Sequence, residues 1–81
     1  ELYHMKFPQY RKYKNNQSYF KIIANDHFIE WKKMTLEWEK IEIEAKILPD
    51  RVFITDMLAE NSEYWDVISE AEFDSFLKNE L

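Results

Sequence analysis

No glycine and no cysteine occur among these 81 residues, whereas six Phe, five Tyr and three Trp do. The missing glycine is the strongest constraint on what the chain can fold into. A loop that cradles phosphate, or the turn of a dinucleotide fingerprint, needs glycine to bring backbone close to a ligand at positive φ. The missing cysteine removes thiol nucleophiles, disulfides and cysteine-ligated metals. What remains is a small domain filled with rings, each able to withdraw roughly 150–250 Å² from water.

A chain of 81 residues with 46% hydrophobic and 33% charged residues is globular and makes one domain. Residues 1–4 read as an expression remnant ahead of Met5, which leaves 5–81 as a single α+β domain. No apolar stretch reaches the length of a membrane span or resembles a signal-peptide core, so the expected compartment is the cytoplasm. The formal charge of −5 is unevenly spread: residues 1–24 hold five basic residues against one acid, and residues 25–81 hold six against fifteen. A basic head on an acidic body still presents net acidity to a polyanion.

Ile41-Glu42-Ile43-Glu44-Ala45-Lys46-Ile47 alternates apolar and charged residues, the pattern of a strand with one buried face. Pro49-Asp50 then supplies a turn, and Val52–Met57 follows as the hairpin partner. Upstream, Tyr10–Lys14 and Ser18–Ala24 flank Asn15-Asn16-Gln17, a hairpin tip that uses asparagine for positive φ. Asn25-Asp26 marks a second turn, leading into Phe28–Met34, a segment open to strand or short helix. After an Asn61-Ser62 loop, Tyr64–Ile68 reads as a last strand. Ser69-Glu70-Ala71-Glu72 is a capping box, with Ile68 and Phe73 at the staple positions and Phe73, Phe76 and Leu77 at helical spacing. The sum is α+β: a five- or six-stranded antiparallel meander, strongly curved or barrel-like, with one C-terminal helix, and Ile41–Ile47 facing Phe73 and Phe76.

Catalytic and metal-binding signals are weak. Glu42 and Glu44 share a strand face at roughly 6–7 Å by strand rise, a spacing that overlaps inverting glycosidases, but alternating Glu is first of all a solvated face. His27 beside Asp26 reads as an exposed loop histidine without a second His or a Cys to complete a metal set. Serine has no nucleophile-elbow context. No enzyme activity, cofactor or metal is expected.

Tyr10-Arg11-Lys12-Tyr13-Lys14, with Tyr19, interleaves rings and cations as single-stranded nucleic-acid platforms do. The plainer reading packs Tyr10 and Tyr19 into the core and lets the cations neutralise the acidic body. Trp31 stands apart: one helix covers only one sheet face, so rings on the other face stay exposed unless a partner covers them. The candidate interaction surface is therefore Tyr10, Arg11, Lys12, Tyr13, Lys14, Tyr19 and Trp31.

Four stretches together carry a resemblance: Phe7–Tyr13, Ser18–Ile23, Ala45–Arg51, and the ending with Trp65, Ile68-Ser69 and Glu72-Phe73. They resemble a group of short bacterial proteins with no assigned function. The resemblance implies a small stand-alone bacterial cytosolic protein and supplies no catalytic residue. The expected function is a non-enzymatic interaction or accessory module that self-associates as a homodimer, through an open sheet edge or the uncovered face. The alternatives are a nucleic-acid-associated module using the basic N-terminal hairpin, and a binder of a small apolar ligand between sheet and helix.

Overall fold

The computed structural model describes residues 6–59 and 63–81. The proposed remnant 1–4 and the Asn61-Ser62 loop lie outside the described residues. In chain order the elements are β1 (Gln9–Tyr13), β2 (Ser18–Ala24), β3 (His27–Lys33), β4 (Trp38–Glu44), α1 (Leu48–Leu58), β5 (Trp65–Ile68) and α2 (Glu70–Glu80). The strands form one antiparallel sheet in the order β4-β3-β2-β1-β5. The first four make a meander, and β5 joins the far side of β1. The sheet is open, with β4 and β5 at its edges, rather than barrel-like as the alternating segments led us to expect. Among the described residues no helix is long and apolar enough to cross a membrane.

Turn chemistry without glycine works as anticipated in the first hairpin. Asn16 takes φ 61, the left-handed region that asparagine tolerates best among non-glycine residues. Asn15 Oδ1 accepts a hydrogen bond from Gln17 N at 3.0 Å, tightening the same turn. The Phe28–Met34 ambiguity resolves as strand β3. Phe28 and Trp31 enter different core clusters, one on each side of the sheet, which residues three apart in a helix would not do.

Two expectations are corrected between residues 45 and 58. Val52–Met57 is not a hairpin strand but most of helix α1, and Pro49-Asp50 is not a turn but its first turn. Proline is at home there because the missing N–H would lack an intrahelical partner anyway, and Asp50 suits the positive end of the helix dipole. The helix buries Ile54, Met57 and Leu58 and leaves Leu48 and Val52 exposed. Apolar residues on its outer side blur the 3.6-residue stripe, and Val52-Phe53-Ile54 carries strand propensity, so the local signal points the wrong way.

The described residues therefore hold two helices rather than one, and each covers a sheet face. Phe20, Ile22 and Phe28 pack under α1 with Ile54, Met57 and Leu58. Tyr10, Trp31 and Ile68 pack under α2 with Phe73 and Phe76. Ile43 belongs to the α1 side, so the expected packing of Ile41–Ile47 on Phe73 and Phe76 does not occur. Phe76 meets Trp38 and Tyr19 instead, at 4.9 and 3.8 Å between ring centroids.

Helix α2 begins where the capping box places it. Ser69 is the N-cap, and its Oγ accepts a hydrogen bond from Glu72 N at 3.0 Å. Ile68 and Phe73 share one core cluster, so the staple closes. Ser69→Ala is expected to lower stability by about 1 kcal/mol in urea unfolding. A Ser69→Asp change that fails to retain the lost stability would argue against capping as the cause.

Candidate interaction surface

The residues singled out around the first hairpin do come together in space, but not on one surface. Pairing of β1 with β2 and of β2 with β3 puts Tyr10, Lys12, Tyr19 and Trp31 on the α2 side, with Arg11 and Tyr13 on the α1 side. Because β1 lies between β2 and β5, and a helix covers each face, Tyr10, Arg11 and Trp31 are buried rather than displayed. Trp31 is covered by Phe73 at 5.2 Å and by Lys40, whose Nζ sits 5.7 Å from the ring centroid. The expectation of uncovered rings assumed a single helix, and α1 removes that premise.

The other rings and cations are also engaged within the chain. Tyr19 stacks on Phe76 at an interplanar angle of 8°. Tyr13 stacks on Trp65 with centroids 6.0 Å apart. Lys14 Nζ donates to Asp66 Oδ1 at 2.7 Å, and Lys12 Nζ lies 3.9 Å from Glu72 Oε2. The Lys14 bond is the main reason that the Asp66 carboxyl sits below its ordinary pKa.

Arg11 has a role that its sequence context hides. It is 2% exposed, and its Nε donates to Met57 O at 2.7 Å, on the last turn of α1. Its Nη1 donates to Tyr10 O at 2.8 Å and reaches Gln9 Oε1 at 3.3 Å. Carbonyls in the final turn of a helix lack intrahelical donors, and α1 carries no basic residue there. A strand 46 residues away in sequence supplies the cation instead.

Burial raises the pKa of Tyr10, Tyr13 and Tyr19 above the ordinary 10.0, with smaller contributions from Glu70 at Tyr10, Glu30 at Tyr13, and Glu72 and Glu80 at Tyr19. The folded state thus favours the neutral phenols. That stabilisation is complete below 10.0 and is lost as pH rises through the higher folded values. We expect these three tyrosines to ionise above pH 10.0, read as phenolate absorbance followed beside far-UV ellipticity. Ionisation of Tyr10, Tyr13 and Tyr19 at or below pH 10.0 with ellipticity intact would contradict this.

The remaining chemistry-bearing side chains have structural partners. Ser18 Oγ donates to Glu30 Oε2 at 2.7 Å. His27 lies in β3 rather than in a loop, half-buried, and its Nε2 donates to Glu42 Oε2 at 2.6 Å. Glu44 stands opposite His27 on the same sheet face. Among the described residues no cluster of three or more His, Asp or Glu is placed to hold a metal ion. A surface cleft of about 330 Å³ opens to solvent beside Tyr13 and Tyr64, and another of about 280 Å³ lies between Asp26 and Arg51.

Several uncovered apolar groups lie away from the rings of the first hairpin, in positions the sequence does not reveal. Nine large hydrophobic residues are exposed among the described residues, and four of them lie within four residues in sequence of the ends of β4. Met34 and Leu36 precede it, and Ile47 and Leu48 follow it. Along β4 itself no described strand occupies the outer edge. The alternation of Ile41–Ile47 marks a strand with one buried face but does not say that the strand lies at an edge. The ends were invisible until the turn at 34–37 and the start of α1 were placed.

Fold and surface define an α+β domain with its open antiparallel sheet held between two helices and one long edge strand left unpaired among the described residues. Comparison of the chain with protein-family models, with curated proteins and with solved structures returned no match.

Proposed function

We propose that this domain is a non-enzymatic protein-interaction module and that it works by self-association. The observation that carries this reading is the gathering of exposed apolar side chains at both ends of the open strand β4, after both sheet faces have been filled by helices. Leu36 is 96% exposed and Leu48 73%, and neither supports the core. Exposed apolar groups beside an unpaired strand edge are a surface that a protein partner covers at a gain in free energy. The polar side chains best suited to chemistry serve the fold instead: Ser69 caps α2, Ser18 binds Glu30 and His27 binds Glu42.

Light scattering on the eluting peak of a size-exclusion column tests the reading. A mass near twice the 10.0 kDa chain is expected at micromolar concentration. A strictly monomeric mass across that range would reject self-association.

A further inference from the structure

Strand β4 reads Trp38-Glu39-Lys40-Ile41-Glu42-Ile43-Glu44 and forms one edge of the sheet. Two copies of such an edge can pair antiparallel about a twofold axis perpendicular to the sheet. Each residue then faces one whose side chain lies on the same sheet face, so the axis must pass between a residue and its own symmetry mate. Seven centres are available, and charge eliminates six. Centres at Glu39, Glu42 and Glu44 set each glutamate against itself, and Lys40 does the same with two lysines. A centre at Ile43 opposes Glu42 to Glu44 twice, and a centre at Trp38 brings Glu37 against Glu39. Like charges directly opposite destabilise a strand pair.

Centring on Ile41 leaves no like pair. Ile41 meets Ile41 of the second copy, Lys40 meets Glu42 twice by symmetry, Glu39 meets Ile43, and Trp38 meets Glu44. The same register sets position 36 against position 46, so Leu36 at the start of one β4 approaches Ile47 and Leu48 beyond the end of the other. The exposed Leu36 of each copy is thereby brought toward the exposed Ile47 and Leu48 of the other, in two symmetric sets.

From the charge pattern and the uncovered apolar ends together, we infer that a second copy of this chain docks on β4, antiparallel and centred on Ile41. The product is a continuous sheet, twice the five strands of one copy, flanked by two helices on each side. Lys40 and Glu42 set the register, and the end groups supply the apolar area. This inference rests on the self-association reading and specifies its interface.

The chain contains no cysteine, so single-cysteine variants report the register directly. Directly opposite residues of an antiparallel pair have Cα atoms about 4.5–5.5 Å apart, within the roughly 4.4–6.8 Å that a disulfide spans. Ile41→Cys is expected to form a covalent dimer under mild oxidation. Ile43→Cys is not, because its symmetry mate would lie four residues along the strand, about 13 Å away. Lys40→Glu and Glu42→Lys are each expected to weaken the dimer by at least about tenfold. The double swap restores charge complementarity and is expected to restore the dimer, which also guards against a folding defect in either single variant.

The outcomes separate cleanly. A monomeric wild-type protein overturns self-association and this interface with it. A wild-type dimer in which Ile41→Cys fails to cross-link, Ile43→Cys cross-links as readily, or Lys40→Glu leaves the dimer constant unchanged overturns this interface while self-association stands.

Discussion

Replacing Phe20 by alanine is expected to lower stability by about 3–5 kcal/mol, as large an effect as a single core truncation ordinarily has. Phe20 is fully buried at the centre of β2, with Arg11 of β1 on one side and Glu30 of β3 on the other. Its ring meets Tyr13 edge-on at 5.2 Å and Phe53 of α1 at 5.8 Å, with Phe28 at 6.2 Å. Removing it opens a void that strands on both sides and a helix above would all have to collapse to fill. A chain of 81 residues has about 4–12 kcal/mol of total stability, so the variant is expected to be largely unfolded at 37 °C. Urea unfolding followed by tryptophan fluorescence measures the shift. A midpoint within the error of wild type would mean that the α1 side of the sheet is not the packed core described.

The second large effect is expected at Arg11. Arg11→Met keeps much of the apolar stem but removes the donors to Met57 O and Tyr10 O, and those backbone acceptors cannot be deleted with it. A buried acceptor left without a partner costs about 1–3 kcal/mol, and the end of α1 also loses the cation that faces its carbonyls. We expect a loss of about 2–4 kcal/mol. Arg11→Lys is expected to recover only part of this, because an ammonium lacks the planar fork that reaches two carbonyls at once. Equal stability of Arg11→Met and wild type would show that the guanidinium contributes nothing net. A surface cation, which is how the sequence presents Arg11, would behave in that way.

Arg11 and α1 show where sequence reading stops. In Tyr10-Arg11-Lys12-Tyr13-Lys14 every residue is basic or aromatic, and period two divides them between two faces. Which faces are covered depends on what pairs beyond β1 and what lies above it. Strand β5 arrives from far downstream, and no local pattern announces that it pairs with β1. Helix α1 is obscured by its own residues, because Leu48 and Val52 sit on its solvent side while Phe53 and Ile54 favour strands. With one helix, rings on the second face would be free for a partner; with two, they are core. For that reason Tyr10 and Trp31 are core, while Leu36 and Leu48 near the ends of β4 stay uncovered.

Where a signal was local, the sequence was sufficient. A hydroxyl one residue ahead of a helix and asparagines at a tip without glycine act within a few residues of themselves, so Ser69 and Asn16 adopt the roles their neighbours dictate. Composition alone determined that the domain would be glued by rings, because no disulfide was available and little else of that size was present. Strand order, the second helix and the burial of Arg11 were decided only in three dimensions. Each depends on contacts between segments far apart in the chain, where the free energy of covering a sheet face outweighs the weak preferences of the residues that cover it.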